Sequence, residues 1–110
     1  MTLSEKQRKF TRMIARLIQW AYDHGYELTF GEAFRTKEMA EIYAKKGVGI
    51  KGSCHLLRLA IDLNLFINGV YQTETKAYEP LGLFWESIGG SWGGRFNDGN
   101  HFSLEHEGVR

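Results

Sequence analysis

The sequence has a single cysteine, Cys54, so no disulfide can form within the chain, and its cysteine usage fits a reducing compartment. An excess of charge of either sign is also lacking. The formal net charge is +1 and no long basic stripe is present, which leaves a nucleic-acid or membrane-surface partner without compositional support. No run approaches the roughly 20 apolar residues that a membrane-spanning helix needs, so membrane insertion is not expected. Proline occurs once, and no repeat, linker or low-complexity stretch divides the chain. The first nine residues are polar and charged, without the apolar core of a secretory signal, so synthesis in the cytoplasm is expected. The 110 residues fit one domain, 1–110, and an apolar content of 43% supports one modest core.

Residues 4–24 carry Phe10, Met13, Ile14, Leu17, Ile18 and Ala21 at helical spacing, with Ser4 as the expected N-cap and Gly25 as the stop. Residues 26–30 alternate as a strand does. A second helix is expected over 36–46, and residues 47–52 form a glycine-rich loop. Residues 59–67 read as a buried strand, with Asn68-Gly69 turning it back into Val70-Tyr71-Gln72. A third helix is expected over 79–87, with Pro80 in its first turn. A glycine-rich loop over 89–100 then precedes a closing strand over 101–105. This order predicts an α+β domain with a small antiparallel sheet and about three helices.

Two clusters carry chemistry. The first runs from Ser53 to Asp62 and includes His55. The second is Asp98-Gly99-Asn100-His101. Together they offer two imidazoles and a carboxylate as ligands and a further carboxylate beside them, the inventory of a zinc site with one open position. Asp62 stands among Leu59, Ile61, Leu63 and Leu65, where an ionised group needs a partner. It binds a metal, meets an arginine such as Arg58, or faces solvent. His55 and Asp62 lie an odd number of residues apart, so they meet only if the chain bends between them. Gly99 gives the backbone freedom that lets Asp98 and His101 address one site. His24 suits the end of the first helix, where a charged imidazole meets the dipole, and His106 reads as part of a solvated tail. Arg35 either holds a substrate carboxylate through paired hydrogen bonds or forms a surface ion pair. Trp92 and Phe96 either line a cleft or anchor their loop. Cys54 reads as a small buried side chain.

The pattern of serine, one residue, histidine and an aspartate seven further on, with alanine two before it, is met by Ser53, His55, Ala60 and Asp62. With Asp98 three before His101, and Arg35 in Ala33-Phe34-Arg35-Thr36, the chain resembles the VanY-like zinc D-alanyl-D-alanine carboxypeptidases and L-alanyl-D-glutamate endopeptidases over residues 28–104. The resemblance implies a Hedgehog/DD-peptidase-like fold. It implies one zinc ion held by His55, Asp62 and His101, Asp98 as general base, and Arg35 and Ser53 as substrate contacts. The substrate it implies is the peptidoglycan stem peptide, cut by a monomer. Aspartate rather than glutamate at position 98 is closest to small phage endolysin endopeptidases. Such an enzyme acts on the wall, and its release depends on another protein. Glycine is common in the family where this chain has Arg58. A D-alanyl-D-alanine carboxypeptidase is the alternative within enzymes, and a non-catalytic zinc-bearing binding module is the alternative outside them.

Overall fold

A computed structural model of the chain describes residues 1–46 and 54–110. Residues 47–53, which include the expected loop and Ser53, lie outside the described residues. Among the described residues the order of elements is α1 (Leu3–Asp23), β1 (Glu27–Phe30), α2 (Lys37–Lys45), β2 (Ala60–Ile67), β3 (Val70–Tyr71), α3 (Glu79–Ser87), β4 (Ser91–Trp92) and β5 (His101–Ser103). Short 3-10 turns over Cys54–Leu57, Thr75–Tyr78 and Gly93–Phe96 join them. The expected α+β architecture, with three helices and a small antiparallel sheet, is the one observed.

Helix α1 begins two residues earlier than the periodicity alone suggests. Thr2, not Ser4, is the cap. Its hydroxyl accepts from the Glu5 amide at 3.1 Å while the Glu5 carboxylate accepts from the Thr2 amide at 3.0 Å, a reciprocal capping box. At the far end the Nδ1 of His24 lies 2.7 Å from the Trp20 carbonyl, which ties the imidazole to the end of the helix. Phe10, Met13, Ile14, Leu17 and Ala21 form the buried stripe.

The sheet runs β1-β2-β5-β4, with β3 folded back on the end of β2, and every pairing is antiparallel. Asn68 and Gly69 both have positive φ, 52° and 77°, as a type I′ turn requires. Along β2 the side chains alternate: Ile61, Leu63 and Leu65 are buried, and Asp62, Asn64 and Phe66 are only partly covered. Leu63 and Leu65 join Leu17, Leu81, Trp85 and Phe102 in one core, so α1 and α3 share the apolar side of the sheet. The indole N–H of Trp85 points to the carbonyls of Ser103 at 2.9 Å and Ser91 at 3.1 Å, fixing α3 to β5 and β4. The Tyr78 hydroxyl accepts from the Leu65 amide at 3.0 Å and donates to Gln72 at 2.8 Å, which locks the hairpin.

Three expectations shift. The long strand starts at Ala60, because Leu59 still belongs to the turn and its amide reaches the Cys54 carbonyl. Ser91–Trp92, expected in a glycine-rich loop, is a strand paired with β5. The closing strand ends at Ser103.

Candidate metal centre

The partly covered side of β2 is where the two clusters meet. Asp62 pairs with His101 directly across β2 and β5. The Asp62 amide and carbonyl turn away from β5, toward Glu32 O and Gly31 N, each at 2.8 Å. Asp62 and His101 are therefore a pair that exchanges no backbone hydrogen bonds, the kind whose side chains stand closest.

His55 arrives from the 3-10 turn Cys54–Leu57. The bend the odd spacing demanded is supplied by that turn and by Arg58, whose φ of 56° is left-handed. An L-residue there is disfavoured by about 1 kcal/mol, which is a physical reason for the glycine common at this point in the resembling family. The Arg58 guanidinium lies 4.2 Å over the Phe34 ring, a contact that offsets part of the strain.

One candidate ligand atom from each of His55, Asp62 and His101 lies within 4.8 Å of the others. Asp62 Oδ1 is 3.3 Å from His55 Nε2 and 3.5 Å from His101 Nδ1. Both imidazoles are buried, and the Asp62 side chain is 23% exposed. His55 Nδ1 lies 3.0 Å from the Ala33 carbonyl. A carbonyl can only accept, so Nδ1 carries a proton, and in the neutral imidazole that a metal requires the Nε2 lone pair faces Asp62. Asp62 Oδ1 is buried without a hydrogen bond of its own. A buried oxygen in that state, flanked by two ring nitrogens, fits a divalent cation. Two nitrogens and one oxygen are the donor set of an open zinc site, and among the described residues no further His, Cys, Asp or Glu joins the group.

The charges agree with this arrangement. Burial works against the Asp62 carboxylate, but contact with His101 and His55 outweighs it and lowers the pKa to about 2. Burial likewise opposes charge on His55, and the Asp62 carboxylate with the Ala33 carbonyl raises its pKa nonetheless.

Asp98 stands at the rim. Its Oδ2 is 4.0 Å from His101 Nδ1 and its side chain is 52% exposed. The two residues meet because His101 N donates to Asp98 O at 3.1 Å, closing a turn. Gly99 serves that turn differently from the expectation. Its φ is not positive, and the left-handed residue is Asn97 at 62°. Gly99 is small because a Cβ there would come 2.7 Å from Thr75 Cα. Gly93 is more confined still. A Cβ on it would lie 2.7 Å from His101 Cβ and would collide with the Asp98 carbonyl. Gly93→Ala is expected to destabilise the fold by about 2 kcal/mol and to weaken metal binding, because the added methyl displaces Asp98 and His101 together. Urea denaturation and chelator competition measure the two effects.

Arg35 sits over Tyr43 at 5.2 Å and its guanidinium is held by Glu32. Nε and Nη2 both reach Glu32 Oε1, at 2.7 and 2.6 Å, and the Arg35 side chain is only 12% exposed. Trp92 is buried and donates to Gly99 O at 2.8 Å, so it anchors its loop, whereas Phe96 is exposed and its ring lies 5.9 Å from that of His101. Cys54 is fully buried, its thiol 3.1 Å from the Val109 carbonyl, and burial raises its pKa to about 11. That thiol stays protonated at neutral pH and does not compete as a ligand. Sequence reasoning missed Ala33 and Glu32. A backbone carbonyl leaves no signature in sequence, and a glutamate three before an arginine is a common surface pair.

Fold and site together define a small metallohydrolase-type centre: three nitrogen and oxygen donors from a 3-10 turn and two neighbouring strands, with one carboxylate beside them. A family model described as D-alanyl-D-alanine carboxypeptidase matches residues 46–104, more than half of the sequence, and the chain belongs to that peptidase family. No curated protein matches the sequence. Among solved structures, the L-Ala D-Glu endopeptidase ChiX of Serratia marcescens is similar over 93% of this chain and 85% of its own, with a TM-score of 0.75 and 21% identity. The D,D-pentapeptidase VanY of a VanB-type vancomycin resistance cassette, a mutant in complex with Zn(II), is similar over 87% of this chain and 70% of its own, with a TM-score of 0.63 and 20% identity. These two likenesses establish the fold.

Proposed function

We propose that this chain is a zinc-dependent peptidase that hydrolyses peptidoglycan stem peptides, in the manner of an L-alanyl-D-glutamate endopeptidase of the phage endolysin type. The observation that carries the reading is the convergence of His55, Asp62 and His101 on one point, with Asp98 beside it. When bound, zinc supplies a Lewis acid that acidifies a water and polarises the scissile carbonyl. His55 is held in the ligating tautomer by Ala33, and Asp62 keeps its charge down to about pH 2. Asp98 takes the proton of the attacking water and delivers it to the leaving amine. Its exposure lets substrate reach it, and its partial burial, the largest influence on it, raises its pKa and so improves it as a base. Arg35 turns its remaining N–H groups toward a carboxylate of the stem peptide, and Ser53 is proposed as a second contact. In the phage reading the protein acts as a monomer on the wall after release by a membrane-permeabilising partner.

The D-alanyl-D-alanine carboxypeptidase description of the matching family model favours a second reading, removal of a terminal alanine. Digestion of purified peptidoglycan with and without a chelator, followed by mass spectrometry, separates the outcomes. Chelator-sensitive cleavage between alanine and glutamate is expected. Loss of one alanine identifies a carboxypeptidase. Bound zinc without any cleavage identifies a binding module, and cleavage indifferent to chelator removes the zinc reading.

A further inference from the structure

Glu32 touches Asp62, Arg35 and His55. Its backbone carbonyl accepts from the Asp62 amide at 2.8 Å. Its carboxylate Oε1 lies 2.6 Å from Arg35 Nη2, 2.7 Å from Arg35 Nε and 3.7 Å from His55 Nδ1. One oxygen thus stands between the guanidinium and the back of a ligand imidazole. Arg35 is bound to the same turn through its amide, which donates to the His55 carbonyl at 3.1 Å.

This arrangement poses an electrostatic problem. An arginine is always charged, and this one is largely buried near a centre built for a divalent cation. Two like charges in a partly desolvated site repel strongly, and each would disfavour the other. A carboxylate between them removes the conflict. We infer, on the zinc reading above, that Glu32 is a positioning residue whose negative charge lets Arg35 and the metal occupy neighbouring places, and which aims Arg35 so that part of its guanidinium stays open to a substrate carboxylate. Because Nε and Nη2 are both committed to Glu32, a substrate anion meets Arg35 through its other N–H groups.

The inference separates from a merely structural role by the direction of its effects. Glu32→Gln keeps the shape and a hydrogen-bond acceptor but removes the charge. Zinc affinity, read by competition with a chromogenic chelator, is expected to fall about 10-fold, the lower range for a group behind a ligating histidine. The second substitution Arg35→Met in the same chain removes the stranded cation, and zinc affinity is expected to return to within about 3-fold of the parent, a non-additive cycle of the kind that marks direct coupling. Arg35→Met alone is expected to bind zinc at least as tightly as the parent, and it serves as the test if Glu32→Gln does not fold, as judged by its thermal transition. Parent-like zinc affinity in Glu32→Gln, no recovery in the double variant, or weakened zinc binding in Arg35→Met would each overturn the inference. A parent protein that binds no zinc would instead defeat the zinc reading on which it rests.

Discussion

Asp98→Ala should lose peptidoglycan cleavage by about 10³-fold, within the range that a positioned general base contributes, while retaining one zinc ion per chain. The separation follows from geometry. His55, Asp62 and His101 form the compact group, and Asp98 stands outside it, 4.0 Å from His101 Nδ1 with half its side chain in solvent. Removing a rim carboxylate leaves the donors in place. As the proposed base, the same residue should set the acid limb of the rate. Partial burial raises its pKa, His101 opposes that shift and Asp62 adds to it, with the balance upward. A protonated Asp98 cannot take the proton of the water, so activity falls as pH drops through its pKa, and Asp98→Glu should move that limb while keeping measurable turnover. Cleavage at the parent rate by Asp98→Ala would remove it as the base, and loss of zinc in that variant would make it a ligand.

The parts of this centre that were legible in sequence are those written in side-chain chemistry. An aspartate in an apolar strand and a histidine after Asp-Gly-Asn are visible because polar groups there need a reason. Helix α1 was legible where a stripe of apolar residues repeats, and α3 through the proline in its first turn. The capping box of Thr2 and Glu5 was equally available, but Ser4 sits nearer the periodic residues and drew the boundary inward. What stayed hidden is written in backbone. The left-handed Arg58 that brings His55 back over Asp62 has a residue type that gives no hint of its conformation. Strand β4 is two residues long and surrounded by glycine, so period-two alternation has nothing to act on. The segment after β1 is irregular, yet it supplies the contacts of Gly31 and Glu32 to Asp62 and of Ala33 and Arg35 to His55. Its role comes from lying alongside β2, a tertiary fact that local pattern does not encode.

His101→Ala should bind zinc at least 10²-fold more weakly than the parent, beyond the effect of losing an outer partner, and should lose cleavage with it. The pH dependence of zinc binding gives an independent check. In the metal-free protein Asp62 has a pKa depressed to about 2, so its stabilising contribution is present above the unfolded value of 3.8 and is lost as pH falls through about 2. His55 has a raised pKa, so its contribution is present below the unfolded value of 6.5 and is lost as pH rises through its folded value. The pair therefore stabilises the metal-free fold most between about pH 4 and about pH 6.5, where Asp62 is ionised and His55 protonated. Zinc requires the opposite state of His55, with its Nε2 unprotonated. The increase in Tm on adding zinc should thus be small near pH 5 and grow as pH rises past 7, since binding only to the folded state stabilises by mass action. His101→Ala should show little zinc increment at any pH. An increment in the parent that is flat across this range would mean that zinc binds without displacing a proton from His55, and that His55 is not the ligand the Ala33 carbonyl orients it to be.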